Sequence, residues 1–265
     1  AIAVEGGAFN QWALPGDGNY SETASWTESA VPDATNAVAY FGENATGPAE
    51  VNVDGNFTVA NITFDNTNPY TLDGAGTLTL EYGFGDPVVD ANQGSHVINS
   101  DLDVVGTAFA KLGDGEVTFN GALGLDDSRT VTVEGGRTTF AQALGPNTTL
   151  DTSAEVVLAD NPTLKAFNMS SGGQIDLSSE VMTVQHDVTA LASSTLTLAD
   201  GNLDVGGDLS AGGTLSATSS LLTVAGTATI SGTTTLTDSN LTTSGRADFT
   251  GGTITLDGGE MRLGL

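Results

Sequence analysis

Apolar residues alternate with Thr, Ser, Asp or Gly in short runs along this chain, as in Leu196-Thr-Leu198, Leu203-Asp-Val205, Leu222-Thr-Val224 and Ile254-Thr-Leu256. A period of two is the signature of a strand buried on one face, and no segment sustains the 3.6-residue period of a helix. Gly-rich and Asp-Gly turns, such as Asp200-Gly201-Asn202 and Asp257-Gly258-Gly259, separate the runs. The pattern predicts many short strands and almost no helix.

The strands also repeat. From about residue 188 the chain divides into segments opened by Gly207, Gly226 and Gly245, at a period of 19. One apolar column then reads Ala192, Ala211, Ile230, Phe249. Others read Leu203, Leu222, Leu241, and Leu196, Leu215, Thr234. A one-residue slip at Gly251-Gly252, which suggests a bulge, brings Ile254, Leu256, Met261 and Leu263 into the same columns. Upstream, Met182-Thr-Val184 followed by Val188 matches Leu203-Asp-Val205 followed by Leu209 at an offset of 21. A hairpin meander would not superpose equivalent side chains from successive segments, whereas a chain that coils back over itself does. The predicted fold is therefore an all-β parallel β-helix (solenoid), right-handed because parallel crossovers overwhelmingly are. Roughly ten coils fit between residues 51 and 265, a rod on the order of 50 Å at the strand spacing.

Residues 1–50 differ in character. They hold both tryptophans, Trp12 and Trp26, together with Tyr20, Tyr40, Phe9 and Phe41. The expected organisation is an N-terminal capping module over 1–50 and a β-helix over 51–265. Trp12 and Trp26 are also the candidate platform for stacking on a glycan.

The segment Gly16-Asp-Gly-Asn19-Tyr20-Ser21, then Ala24-Ser-Trp26, Val31-Pro32 and Ala37-Val-Ala-Tyr40-Phe41, resembles the start of bacterial surface proteins with autotransporter-associated β-strand repeats. Val51-Asn-Val53, Val59-Ala-Asn-Ile62-Thr-Phe64-Asp65-Asn66, Tyr70-Thr-Leu72 and Gly74-Ala-Gly76-Thr-Leu78-Thr-Leu80 continue the resemblance in order. The chain departs from that pattern with Tyr20 where Trp is usual. The resemblance implies a right-handed β-helix at a cell surface, without an enzymatic activity common to the family, and names no ligand.

Composition narrows the function. With 33 acidic and 6 basic residues the formal charge is −27, which argues against nucleic acid and against an anionic membrane surface as partners. No run of apolar residues is long enough to insert in a bilayer. There is no cysteine, and there are only two histidines, His96 and His186, without ligand-spaced partners. The 38 threonines, 20 serines and 35 glycines are the composition of a repetitive, exported β-protein, so an extracellular or cell-surface location is expected.

Candidate chemistry is sparse. Asp17-Gly-Asn19, Asp65-Asn66, Asp114-Gly-Glu116 and Asp200-Gly-Asn202 place oxygen donors in tight loops, so calcium is the ion to consider. Turn geometry alone favours the same residues. Asp126-Asp127 with Arg129 is the closest grouping for a polysaccharide-active site, and it reads first as a solvated turn. Seven Asn-x-Ser/Thr sequons occur, at Asn19, Asn44, Asn56, Asn61, Asn147, Asn168 and Asn240. Thr195-x-Thr197, Thr214-x-Ser216, Thr233-x-Thr235 and Thr253-x-Thr255 fall in register and would form outward hydroxyl ladders of the kind ice-binding β-helices use.

Apolar alternation persists through Met261, Leu263 and Leu265, and Ala1, Ile2 and Val4 make an apolar start. These are the candidate assembly ends. The expectation is a non-enzymatic extracellular structural protein that self-associates end to end into a filament or matrix, or belongs to a longer parent chain. The rival functions are a glycan-binding adhesin or polysaccharide-active β-helix, and an ice-binding protein.

Overall fold

The computed structural model describes residues 9–125, 129–178 and 180–264, apart from the side chain of Ser178. The fold is all-β: every described strand in a sheet pairs in parallel with strands about one coil away in sequence, and the only helix among the described residues is the 3-10 turn Thr23–Ser25. This is a parallel β-solenoid. The chain divides into two compact units, Ala1–Gln142 and Ala143–Leu265.

In the N-terminal unit the first sheet stacks Phe9–Gln11, Val38–Phe41, Asn61–Asp65, Val88–Gln93, Ala108–Leu112 and Thr130–Val133. A second stacks Gly18–Asn19, Ala49–Asn52, Tyr70–Asp73, Ser95–Ile98, Glu116–Phe119 and Arg137–Phe140. A third holds Phe57–Val59, Thr77–Glu81, Asp101–Val105 and Leu123–Leu125. Phe9–Gln11 already pairs with Val38–Phe41, so the solenoid register runs through residues 9–41 rather than starting at residue 51.

The C-terminal unit has the same three-sided plan. Its first sheet stacks Thr149–Thr152, Ala166–Met169, Val188–Ala190, Leu209–Ala211, Ala228–Ile230 and Ala247–Phe249. The second stacks Glu155–Leu158, Gln174–Ser178, Thr195–Ala199, Thr214–Thr218, Thr233–Thr237 and Thr253–Asp257. The third stacks Thr163–Leu164, Val181–Val184, Asn202–Val205, Leu221–Val224, Asn240–Thr243 and Glu260–Leu263.

The core of this unit is made of vertical columns. Leu203 pairs with Leu222 and Leu222 with Leu241, all fully buried, and Leu196, Leu215 and Thr234 form another column. Full burial of one such leucine stabilises by about 1.5–3 kcal/mol. One column differs from the expectation: Ala190, not Ala192, precedes Ala211, Ile230 and Phe249. The step from Val188 to Leu209 is 21 residues long rather than 19, which carries Ala192 into an exposed corner. The slip near the other end is a corner too, not a bulge in a strand. Gly251 has φ of 112° and open space around it, while Gly252 continues the column of Gly213 and Gly232. A Cβ on Gly232 would strike the carbonyl of Gly213, so this corner closes only over glycine.

Corner carboxylates and amides tie coil to coil. Asp187 accepts the N–H of Asp208 at 2.8 Å, and Asp208 accepts that of Thr227 at 2.7 Å. Asp33, Asn56, Asp101, Asn161 and Asn202 do the same for Thr58, Thr77, Ala122, Val181 and Leu221. Backbone donors at the corners lack a ladder partner, and a short acceptor side chain from the coil beneath fills the gap. Part of the acidic composition is thus structural.

Candidate functional site

The strongest candidate in the C-terminal unit is its last rung, Ala247–Phe249, Thr253–Asp257 and Glu260–Leu263. Its side chains continue columns that are buried one rung earlier. Ile230, Leu236 and Thr243 are each buried, whereas their partners Phe249, Leu256 and Leu263 are 42%, 48% and 46% exposed. Ile254 and Met261 are half-buried in the same rung. Among the described residues no strand pairs with its outer edge, and Phe249, Leu256 and Leu263 form an apolar patch there. Around this patch run charged pairs, exposed Glu260 bonded to Arg262 at 2.9 Å and half-buried Asp248 to Arg246 at 2.5 Å. Of the predicted assembly residues, Met261 and Leu263 lie on this end; Ala1, Ile2, Val4 and Leu265 fall outside the described residues.

A second surface is the outer side of the second sheet in the same unit. Thr195, Thr214, Thr233 and Thr253 stack in one outward row, and Thr197, Ser216, Thr235 and Thr255 in the next. The rungs are about 4.8 Å apart, and successive outward residues about 7 Å apart along each strand. These eight side chains carry no charge, in a chain of net charge −27.

Three large aromatic residues of the first described segment pack in the N-terminal unit's core. Trp12, Tyr20 and Trp26 are buried. The two indoles meet edge to face at 5.3 Å, and Tyr20 meets Trp26 in the same way at 4.9 Å. Trp12 Nε1 donates to Gly16 O, Trp26 Nε1 to Tyr20 O, and the Tyr20 hydroxyl to Pro32 O. Burial pushes the Tyr20 phenol well above its ordinary range, with Asp33 adding to the shift. The expected glycan platform at Trp12 and Trp26 is therefore corrected: both rings are packed in the core, and neither has a face for a sugar.

Several side chains of the loops considered for calcium are engaged within the fold. Asp17 accepts the N–H of Glu50, Asn19 bonds Asn52 and Glu22, and Asn66 donates to the carbonyls of Gly42 and Ala45. Among the described residues no three His, Asp or Glu side chains converge on one point. Asp126 and Asp127 lie outside the described residues, and Arg129 is buried. Of the sequon residues, Asn61 is buried. A groove of about 320 Å³ along Asp151, Asn168, Met169 and Leu191 has its amide already committed, Asn168 donating to Asp151 at 2.7 Å.

One buried group could not be placed from sequence. Lys111 occupies a core position, paired with Val89 and Val133, and its ammonium donates to the carbonyls of Gly113, Gly115 and Gly135 at 2.9, 2.5 and 2.8 Å. Burial pushes it down to about 8, against the pull of Asp90, Asp114 and Glu116. His96 is buried and His186 exposed. No helix of the described residues is long and apolar enough to cross a membrane. Family models, curated protein sequences and solved structures show no match to this chain.

Proposed function

We propose that this protein is a non-enzymatic structural solenoid of an extracellular or cell-surface filament or matrix, assembled by end-to-end stacking. The observation that carries the reading is the rung of Phe249, Leu256 and Leu263, which continues columns buried one coil earlier and which a further β-coil, of this chain or of a second copy, would cover. Stacking a further β-coil there would bury Phe249, Leu256 and Leu263 and pair the backbone groups along three sheet edges. The resemblance of residues 16–80 to surface proteins with autotransporter-associated repeats supports the location, as does the Thr-, Ser- and Gly-rich, acidic composition. Sedimentation velocity and negative-stain microscopy over a concentration series test the idea. Wild type should form linear end-to-end species, and Leu256→Asp with Leu263→Asp should remain single rods. Wild type that stays as dispersed single rods at every concentration and salt level overturns it.

The threonine face favours ice binding as a second reading. An uncharged array of seven threonines and Ser216 repeats over four rungs at the strand spacing, as a surface that orders water would need. Thermal hysteresis in wild type and its loss in Thr233→Tyr would support that reading; freezing behaviour equal to an inert protein's would remove it.

A further inference from the structure

The outer surface of the first sheet in the N-terminal unit carries a group of side chains that end-to-end stacking does not use. Phe9 is 55% exposed, and its ring centroid lies 5.1 Å from that of half-buried Tyr40, the planes tilted by 44°. Gln11 stands beside Tyr40 in the strand register. The Tyr40 hydroxyl donates to Asp65 Oδ2 at 2.7 Å, and Gln93 Nε2 donates to Asp65 Oδ1 at 3.0 Å. Asp90 lies on the same outward side, paired with Thr63 two residues before Asp65. A Cβ at Gly42 would strike the Tyr40 ring and the Gln11 amide, so the glycine lets both lie where they do.

This arrangement combines two outward aromatic rings with amide donors and carboxylate acceptors held in position on a rigid sheet. A sugar ring has the complementary chemistry, with apolar C–H faces for the aromatics and a girdle of hydroxyls for the polar rim. Two other ligand classes fit less well. A polyanion would meet Asp65, Asp90 and a chain charge of −27. A protein partner would need a broader apolar centre than two rings inside a polar rim. Burial and Asp65 push the Tyr40 phenol up to about 12, so it stays a neutral donor across the physiological range.

We propose that Phe9, Tyr40 and their rim of Gln11, Asp65, Asp90 and Gln93 form a binding surface for a neutral, ribbon-like polysaccharide. Equatorial β-1,4 links keep such a chain flat, and a flat chain can lie across neighbouring rungs. The site takes the role expected of Trp12 and Trp26, and it does not depend on self-assembly.

Native gel electrophoresis in hydroxyethylcellulose, a soluble neutral β-1,4-glucan, tests this directly, with polygalacturonate as the polyanion. Wild type should be retarded by the former and not by the latter. Phe9→Ala with Tyr40→Ala should weaken the retardation at least tenfold while keeping the wild-type unfolding midpoint within a few degrees. Phe9→Ala alone, which removes a largely exposed ring, should weaken it severalfold and guards against misfolding of the double variant. Wild type unretarded by the glucan, equal retardation in polygalacturonate, or variants that bind like wild type would each overturn the proposal.

Discussion

His96 lies flat on Phe64, the ring centroids 4.4 Å apart and the planes within 9°. Both ring nitrogens are committed: Nδ1 accepts the Tyr70 N–H at 3.1 Å, which leaves Nε2 as the donor to Gln93 O at 2.8 Å. The fold thus selects one neutral tautomer, because a proton on Nδ1 would face the Tyr70 donor. Burial holds the imidazole below its ordinary value, and the nearby Lys111 ammonium adds to the effect against the Gln93 bond.

The neutral imidazole therefore contributes stability that is present above about pH 6.5, the ordinary histidine value, and lost as pH falls through the lower folded value. Urea unfolding of wild type and His96→Asn between pH 7.5 and 4.5 measures this. The wild-type advantage should shrink on acidification; a difference constant with pH would show that the tautomer lock is inconsequential.

Lys111 satisfies three carbonyls from one buried amine. With its pKa near 8 it is still an ammonium at pH 7, so three donors are available. Lys111→Met should keep the volume and orphan those acceptors, at a cost of about 3 kcal/mol at pH 7. Denaturant midpoints check the value, and a cost below about 0.5 kcal/mol would mean that water replaces the amine freely.

The columns predict a position-dependent leucine scan. Leu222→Ala, between Leu203 and Leu241, should cost about 2–5 kcal/mol, whereas Leu263→Ala on the open rung should cost well under half as much in the unassembled protein. Equal losses at the two sites in dilute solution would contradict the stacking.

Gly232→Ala and removal of Gly251 should diverge. The first drives a Cβ into the Gly213 carbonyl and should lower the unfolding midpoint by several degrees. The second shortens a corner that is one residue longer than the two before it, and should leave the Thr235–Thr255 pairing and the midpoint nearly unchanged. Thermal unfolding of both variants decides.

End-to-end association must overcome repulsion between chains of charge −27. Raising salt from about 0.01 M to 0.15 M shortens the screening length from roughly 30 Å to 8 Å. Assembly should therefore strengthen with salt, whereas the Leu256→Asp and Leu263→Asp protein should show no such gain. Light scattering across a salt series reads this out.

Much of the C-terminal unit was legible in its residues. The Leu203, Leu222 and Leu241 column and both threonine rows could be aligned because a strand's period of two and a nearly constant coil length leave little freedom. Alignment failed at Ala192, where a corner is two residues longer: corner length carries no periodic signal. The tryptophans were readable first as a cap and second as a sugar platform, since a large aromatic looks the same in sequence whether its face meets a core or water. In Val38-Ala-Tyr40-Phe41 the alternation breaks down, so nothing along the chain says that Phe41 points in and Tyr40 out. Lys111 was unreadable because the three carbonyls that receive it come from two different coils.

The sequence by itself determined that this chain is a stack of short parallel strands, because only superposed coils bury columns of like residues at a fixed repeat. Tertiary structure alone decided which faces meet water: the closed indole pair, the outward Phe9 and Tyr40, and the open rung at Leu256 and Leu263. Exposure depends on what lies one coil above or below, and that neighbour is some twenty residues away along the chain.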